Sequence, residues 1–230
     1  MKPLRIKSLF AAAALAGLLA GVVLTTVQQL GISGLILEAE AYEPPPAGPA
    51  EPAGHTAWEP RSTLERGLYT ALANITLAFG FALLLVAATT WHDKALHWRS
   101  GLAWGLAGYL VFFVAPALGL PPKLPGSETA PLIPRQAWWA LTAAATATAL
   151  ALLVFARHRW LKIAGAVLLT LPHLLGAPQP AHPGITPPAE LTRAFIAATA
   201  LANALFWLVL GGTFGWLHQR LHTEPGPAHG

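Results

Sequence analysis

Gly67–His92 reads GLYTALANITLAFGFALLLVAATTWH, 26 residues without a charge between Arg66 and Asp93. A hydrocarbon core of about 30 Å is crossed by roughly 20 apolar helical residues, so this stretch is long enough to span a bilayer with residues to spare. Charge-free windows recur on both sides of it, at Ser8–Leu37, Ser100–Pro122, Gln136–Ala156, Ile163–Ala189 and Ala194–Gln219. Their lengths of 30, 23, 21, 27 and 26 residues each leave room for a crossing. The Ile163–Ala189 window is the weakest. Its apolar part runs only from about Trp160 to Gly176 before Ala-Pro-Gln-Pro-Ala-His-Pro, so at about 1.5 Å per residue it reaches roughly 25 Å and must be short, tilted or broken.

Composition agrees with the windows. The 230 residues are 54% hydrophobic and 10% charged, with a mean hydropathy of +0.52, whereas a soluble domain carries about a quarter charged residues. The 21 Gly and 21 Pro fall in blocks rather than in a repeat, which excludes collagen, a coiled coil and a disordered charged tail. A pI near 9.8 invites a nucleic-acid reading, but such a protein clusters its basic residues on one face, and here they punctuate apolar segments. The absence of Cys removes disulfides, thiolate metal sites, iron–sulfur clusters and Cys nucleophiles. A bound metal would meet only nitrogen, oxygen or the thioether of Met1.

The first window follows Lys2, Arg5 and Lys7 and resembles a signal peptide, but Leu9 to Val27 is nearly continuous, longer than the 7–15 residues of a cleavable apolar region. An uncleaved signal anchor is expected. Placing the N-terminus, residues 92–99, residues 157–162 and the C-terminus on one side gives that side nine of the 14 cations and two acids, Asp93 and Glu224, for a net +7. The opposite side holds Arg61, Arg66, Lys123, Arg135 and Arg193 with eight glutamates, a net −3. Cytoplasmic loops carry the Lys/Arg excess, so both termini are expected inside. The expectation is therefore an all-α integral membrane helical bundle of about six transmembrane helices, near residues 9–37, 66–91, 100–120, 136–156, 160–176 and 191–217. Residues 1–222 would form a single membrane domain with a Pro-rich outer loop at 43–62, and 223–230 a flexible tail.

The outer loops are Pro-rich. Glu-Pro-Pro-Pro-Ala-Gly-Pro-Ala-Glu-Pro in the first has too few apolar residues to form a core and reads as an extended tether. Residues 120–126 and 178–188 are stiffened by repeated Pro, which fixes φ and stops helices. No internal repeat is visible, so an inverted-repeat transporter is not supported by the sequence.

Within the windows the costly residues are Gln28, Gln29, Asn74, Asn203 and His173. Buried amides either bond helix to helix or line a polar path and offer carbonyl oxygens to an ion in transit. His173 follows Pro172, which frees a carbonyl near Leu168, and an imidazole at such a break can ligate a borderline metal, shuttle a proton or pack at the interface. Glu38, Glu40 and Glu43 leave the first helix together; with His55 and Glu59 they could concentrate a divalent cation, or simply solvate a helix end. His92, His97, His158 and the i, i+4 pair His218 and His222 lie at helix ends, and the pair lacks a third ligand between its members. Trp91, Trp98, Trp104, Trp138, Trp139, Trp160, Trp207 and Trp216 mostly fall near helix ends and read as an aromatic anchoring belt. No phosphate loop, His-Glu-x-x-His or Gly-x-Ser-x-Gly motif is present, so the chain is not expected to be an enzyme.

Several of these segments resemble one family. Val27-Gln-Gln-Leu30, Leu35-Ile-Leu-Glu-Ala-Glu40, Leu64-Glu-Arg-Gly-Leu-Tyr-Thr70 with Ala73-Asn74, Pro116-Ala-Leu-Gly-Leu-Pro-Pro-Lys-Leu-Pro-Gly126, Arg135-Gln-Ala-Trp-Trp-Ala-Leu-Thr142 and Leu171-Pro-His-Leu-Leu-Gly-Ala-Pro178 look like CbtA, the predicted cobalt transporter subunit. The likeness spans almost the whole chain, and its most specific part is the Leu-Gly-Leu-Pro-Pro-x-Leu-Pro-Gly loop followed by Arg-Gln-x-Trp-Trp. Lys123 stands where that loop pattern carries Glu, and the first outer loop has one histidine, His55, where relatives have more. The resemblance implies a multi-pass protein of the bacterial inner (plasma) membrane that takes up divalent cobalt for cobalamin synthesis. It also implies a small single-span, histidine-containing partner, CbtB, and no tightly bound cofactor. Cobalt accepts imidazole and carboxylate ligands, matching His173, His55, Glu38, Glu40 and Glu43, while Gln28, Gln29, Asn74 and Asn203 would line the transport path. Two other classes compete: a non-transporting scaffold or accessory subunit of a complex with the small partner, and a haem protein, which is disfavoured because His173 has no evident partner histidine within the membrane.

Overall fold

The computed structural model describes residues 3–42, 60, 62–91, 96–180 and 187–222. All regular structure among them is helical. Six helices match the six windows: α1 from Pro3 to Glu40, α2 Thr63–Trp91, α3 from Trp98 to Gly119, α4 Leu132–Phe155, α5 Arg159–Leu175 and α6 Ala189–His222. Five of them, all but α5, are long and apolar enough to cross a membrane. Their exposed faces carry Leu15, Leu18, Leu19, Leu72, Leu84 and Leu106, side chains that lipid can cover. Glu43, His55 and Glu59, most of the Pro-rich loop, His92 and the 223–230 tail lie outside the described residues.

Two of the helices change pitch. In α1 the α-helix Pro3–Val27 passes through a π turn at Gln28–Ile32 into Ser33–Glu40. The Ser33 hydroxyl donates to the Gln28 carbonyl five residues back at 3.2 Å, the separation that a π turn brings into register. In α3 the π turn Leu110–Val114 lies between Trp98–Tyr109 and Ala115–Gly119 and directly precedes Pro116. A proline inside a helix lacks its N–H and clashes with the carbonyl four residues earlier, so the wider turn lets the helix continue through it.

The chain divides into two compact units, and the division falls within helices. The first comprises residues 1–27, 67–109 and 202–230. Its helices approach through small residues. On α1, Gly17 and Gly21 lie against the backbone of Phe79 and Ile75 of α2: a methyl on Gly17 would stand 2.9 Å from Phe79 Cα, and one on Gly21 2.6 Å from Ile75 Cα. On α3, Gly101 and Gly105 interlock with Gly211 and Gly215 of α6, backbone against backbone. Close approach of this kind is how helices gain van der Waals energy in lipid, where no hydrophobic effect separates helix from solvent. Gly108 makes room for the Trp207 indole, which stacks with Phe81 at 4.8 Å and Phe206 at 5.4 Å between centroids.

The second unit comprises residues 28–66 and 110–201. Its centre is an antiparallel hairpin of α4 and α5 joined by the three residues Ala156, Arg157 and His158. The face of α5 that turns inward carries Gly165, Leu168, Leu169, Pro172 and His173, spaced at one helical stripe, and the rest of α5 is exposed. Gly165 lies beside the Ala149 carbonyl, Leu152 and Leu153, while Pro172 reaches Trp138. This register sets the 17 residues of α5 against α4 from Phe155 to Trp138. The sequence-based suspicion of a broken segment is thus resolved in favour of one short, continuous helix, which Pro172 occupies one turn from its end. Gly176 closes it, with its N–H donating to the Pro172 carbonyl at 3.1 Å and φ of +81, a region that favours glycine.

Candidate functional site

His173 sits in the last turn of α5, half-buried, with its ring edge-on to Trp138 at 6.0 Å between centroids. The Trp138 indole N–H donates to the Pro172 carbonyl at 3.3 Å, so the first turns of α4 hold the end of α5. Gly119, at the end of α3, permits this arrangement, because a side chain there would collide with the Trp138 ring. Trp138 is 8% exposed and Trp207 only 2%, so these two are packing residues and not the anchors that their positions suggested. The belt reading fits Trp98, Trp160 and Trp216, which are exposed and each lie under an arginine guanidinium at 5.0–5.3 Å.

The four amides fall in different settings. Gln28 and Gln29 begin the π turn of α1, with Gln28 half-buried and Gln29 exposed, and the Gln29 side-chain oxygen accepts from the Ser33 hydroxyl at 3.3 Å. Asn74 is buried in the first unit, where its Nδ2 donates to the Thr25 hydroxyl at 3.0 Å, and Thr25 donates on to the Gly21 carbonyl at 2.8 Å. That relay ties α2 to α1 beside the Gly21 contact. Asn203 is half-buried on α6, in the first unit.

Glu38 and Glu40 are exposed on the last turn of α1. Glu40 lies 4.0 Å from the Arg66 guanidinium, a long, solvated ion pair of the kind that contributes little. No group of three or more His, Asp or Glu that could hold a metal ion occurs among the described residues; Glu43 and His55 are not among them. His97 caps α3: its Nδ1 accepts the Ser100 N–H at 3.2 Å while the Ser100 hydroxyl accepts the His97 N–H at 3.0 Å. His218 is buried beside Phe214. Both histidines serve the ends of helices.

Several contributors were missed in the sequence. Trp138 and Thr25 look ordinary until their partners are known. The glycine seam was legible as Gly101-x-x-x-Gly105 and Gly211-x-x-x-Gly215, a spacing that marks close helix packing in membranes. Thr142 and Thr146, 0% and 2% exposed on α4, bury hydroxyls that have no hydrogen-bond partner. By contrast Thr25, Thr76, Thr89, Thr148 and Thr170 donate to carbonyls three or four residues back.

Residues 6–219 match the family model described as "Probable cobalt transporter subunit (CbtA)". No curated protein and no solved structure matches the chain.

Proposed function

Because the chain belongs to the CbtA family, we propose that it is the membrane subunit of a divalent-cobalt uptake permease serving cobalamin synthesis. Five long apolar helices make it a multi-pass membrane protein, and the observation that carries the functional reading is a family match over residues 6–219, which takes in all but the last residues of those spans. The bacterial inner membrane is the proposed location, with both termini in the cytoplasm. The register of α5 along α4 supports six crossings, since a helix held along its neighbour from Leu153 to Trp138 reaches most of the same depth.

In this reading Glu38, Glu40, Glu43 and His55 collect the ion at the outer face. The weak pairing of Glu40 with Arg66 suits that task, because the carboxylate can exchange it for a dication at small cost. Gln28, Gln29, Asn74 and Asn203 supply oxygen contacts along the way, and His173 supplies an imidazole at the outer end of α5. Each contact is individually weak, as transit demands: an ion must enter a site and then leave it. An inside-negative potential favours inward movement of a 2+ ion by about 4.6 kcal/mol per 100 mV, at roughly 2.3 kcal/mol per charge. A small single-span, histidine-containing subunit of the CbtB kind is the proposed partner.

The test is cobalt accumulation in proteoliposomes under an inside-negative potential, beside nickel and zinc, with and without the small partner. Saturable cobalt influx that falls in His173→Ala at limiting metal, with the variant still folded, is the expected result. Normal influx in His173→Ala removes that residue from the path, and no influx with the partner present overturns the permease reading.

A further inference from the structure

The first unit contains a cleft of about 490 Å³ lined by Trp98 at the start of α3 and by Trp216, Gln219 and Arg220 on the last turns of α6. We propose that it holds the phosphate headgroup of an anionic phospholipid, a resident lipid distinct from the transported ion.

The glycine seam creates the cleft. Gly101 and Gly215 bring the two helices to backbone contact, with the His97 carbonyl also against Gly215, so the bulky residues that flank the seam are forced apart at the surface. Trp98 and Trp216 then line a gap instead of filling it. Each of the four lining side chains carries a hydrogen-bond donor: the Arg220 guanidinium, the Gln219 amide and two indole N–H groups. Among the described residues no carboxylate lines the cleft. The described acids, Glu38, Glu40, Glu65, Glu128 and Glu190, all belong to the second unit. Arg220 lies over the Trp216 ring and Arg99 over the Trp98 ring, each with its guanidinium carbon 5.3 Å from the ring centroid. Stacking of this kind orients the planar fork, which suits the bidentate recognition of phosphate.

The register of the helix pair distinguishes a lipid from a free anion. Along the same flank Leu102 of α3 touches Gly212 of α6, where a methyl on the glycine would meet Leu102 Cδ2 at 3.1 Å. One turn deeper the register brings Leu106 opposite Leu208, and both are exposed. The donor-lined cleft therefore opens directly onto an apolar wall, an arrangement that fits a headgroup with its acyl chain attached. A volume of this size also lies in the range of about 300–1,000 Å³ typical of small-molecule sites.

The experiment is native mass spectrometry of the delipidated full-length protein titrated with phosphatidylglycerol, and in parallel with phosphatidylcholine of the same acyl chains. One phosphatidylglycerol should be retained in preference to phosphatidylcholine, and Arg220→Gln should weaken its retention about tenfold, the loss expected for a charge-assisted contact. Arg220→Lys, which keeps the charge and loses the fork, should fall between the two. Arg159→Gln is the control: it removes the guanidinium over Trp160, which belongs to the second unit, and should leave retention unchanged. Equal retention by wild type and Arg220→Gln overturns the proposal, as does an equal loss in Arg159→Gln, which would signify general attraction to a basic interface. Displacement of the lipid by millimolar inorganic phosphate, together with binding of glycerophosphate as tight as that of the lipid, would also overturn it by showing a site for free phosphate.

Discussion

Replacing Gly101 with Ala tests the packing of the first unit most directly. The added methyl would stand against the Gly211 carbonyl oxygen and within 2.9 Å of Gly215 Cα and 3.0 Å of Gly215 N. All three obstacles are backbone, so no side chain can rotate away, and α3 and α6 must separate by at least several tenths of an ångström along the seam. A gap of 0.5–1 Å forfeits about a quarter to a half of each affected dispersion contact. Overpacking a core by a methyl costs about 1–3 kcal/mol, and here the rigid neighbours place the expected loss near the upper end, about 3 kcal/mol or roughly a hundredfold in the unfolding equilibrium. Gly80→Ala on α2 is the matched control, since nothing lies within 4 Å of the added methyl. It should be neutral or stabilising by up to about 1 kcal/mol through helix propensity. Reversible unfolding in mixed micelles, followed by tryptophan emission and circular dichroism, measures both. Equal midpoints for Gly101→Ala and Gly80→Ala would refute the claim that the seam is closed by backbone contact.

Three further outcomes follow from the same geometry. Asn74→Leu and Thr25→Val each remove the hydrogen bond between α2 and α1; each should cost about 0.6–1.7 kcal/mol, and the double variant should cost less than the sum of the two in a double-mutant cycle. Thr142→Val should be neutral or stabilising by about 1 kcal/mol, because the buried hydroxyl it removes has no partner. Thr89→Val should have the opposite sign in the same unfolding assay, since Thr89 donates to the Leu85 carbonyl at 2.6 Å. Topology can be read by single-cysteine labelling without further engineering, as the chain has no Cys. A membrane-impermeant maleimide should label Ser127→Cys on intact cells and reach Gln219→Cys only after the cells are opened; surface labelling of Gln219→Cys would mean that α5 does not cross.

The helices were legible because charge is so costly in hydrocarbon: every window between charged residues became a helix, and each boundary fell within a few residues of the flanking charge except the end of α5, where Gly176 and the prolines after it stop the helix at Leu175, well before Glu190. What the sequence could not give was which face of each helix met a neighbour. Trp138 and Trp160 both lie within the first seven residues of a helix, yet Trp138 is buried under Pro172 and His173 while Trp160 is exposed. Depth alone does not separate them; rotation about the helix axis does. Gln29 and Asn74 illustrate the same limit, as two amides within apolar windows, one exposed on a π turn and one bonded across helices. Of the π turns, only the one in α3 has a proline, Pro116, to mark it in the sequence, whereas the one in α1 is accompanied by a serine hydroxyl that meets the Gln28 carbonyl.

The irregular backbone is unevenly distributed, and this bears on where transport chemistry belongs. The first unit is built from regular helices joined by glycine contacts and an aromatic cluster, a construction that resists rearrangement because its contacts are short and mostly backbone. Both π turns, Pro116 and Pro172 lie in the second unit, together with Gln28, Gln29, His173 and the carboxylates of Glu38 and Glu40. A π turn or an internal proline leaves backbone carbonyls without their usual partners, and in membranes such groups persist where other protein groups, water or a passing ion can satisfy them. The Trp138 indole bond to the Pro172 carbonyl fixes the end of α5 through the backbone and leaves the His173 imidazole, edge-on to Trp138, outside that bond. In the proposed reading the first unit contributes Asn74 and Asn203 to the path while the second carries Gln28, Gln29, Glu38, Glu40 and His173 with both π turns, which places the informative substitutions at residues 28–40, 110–116 and 172–173.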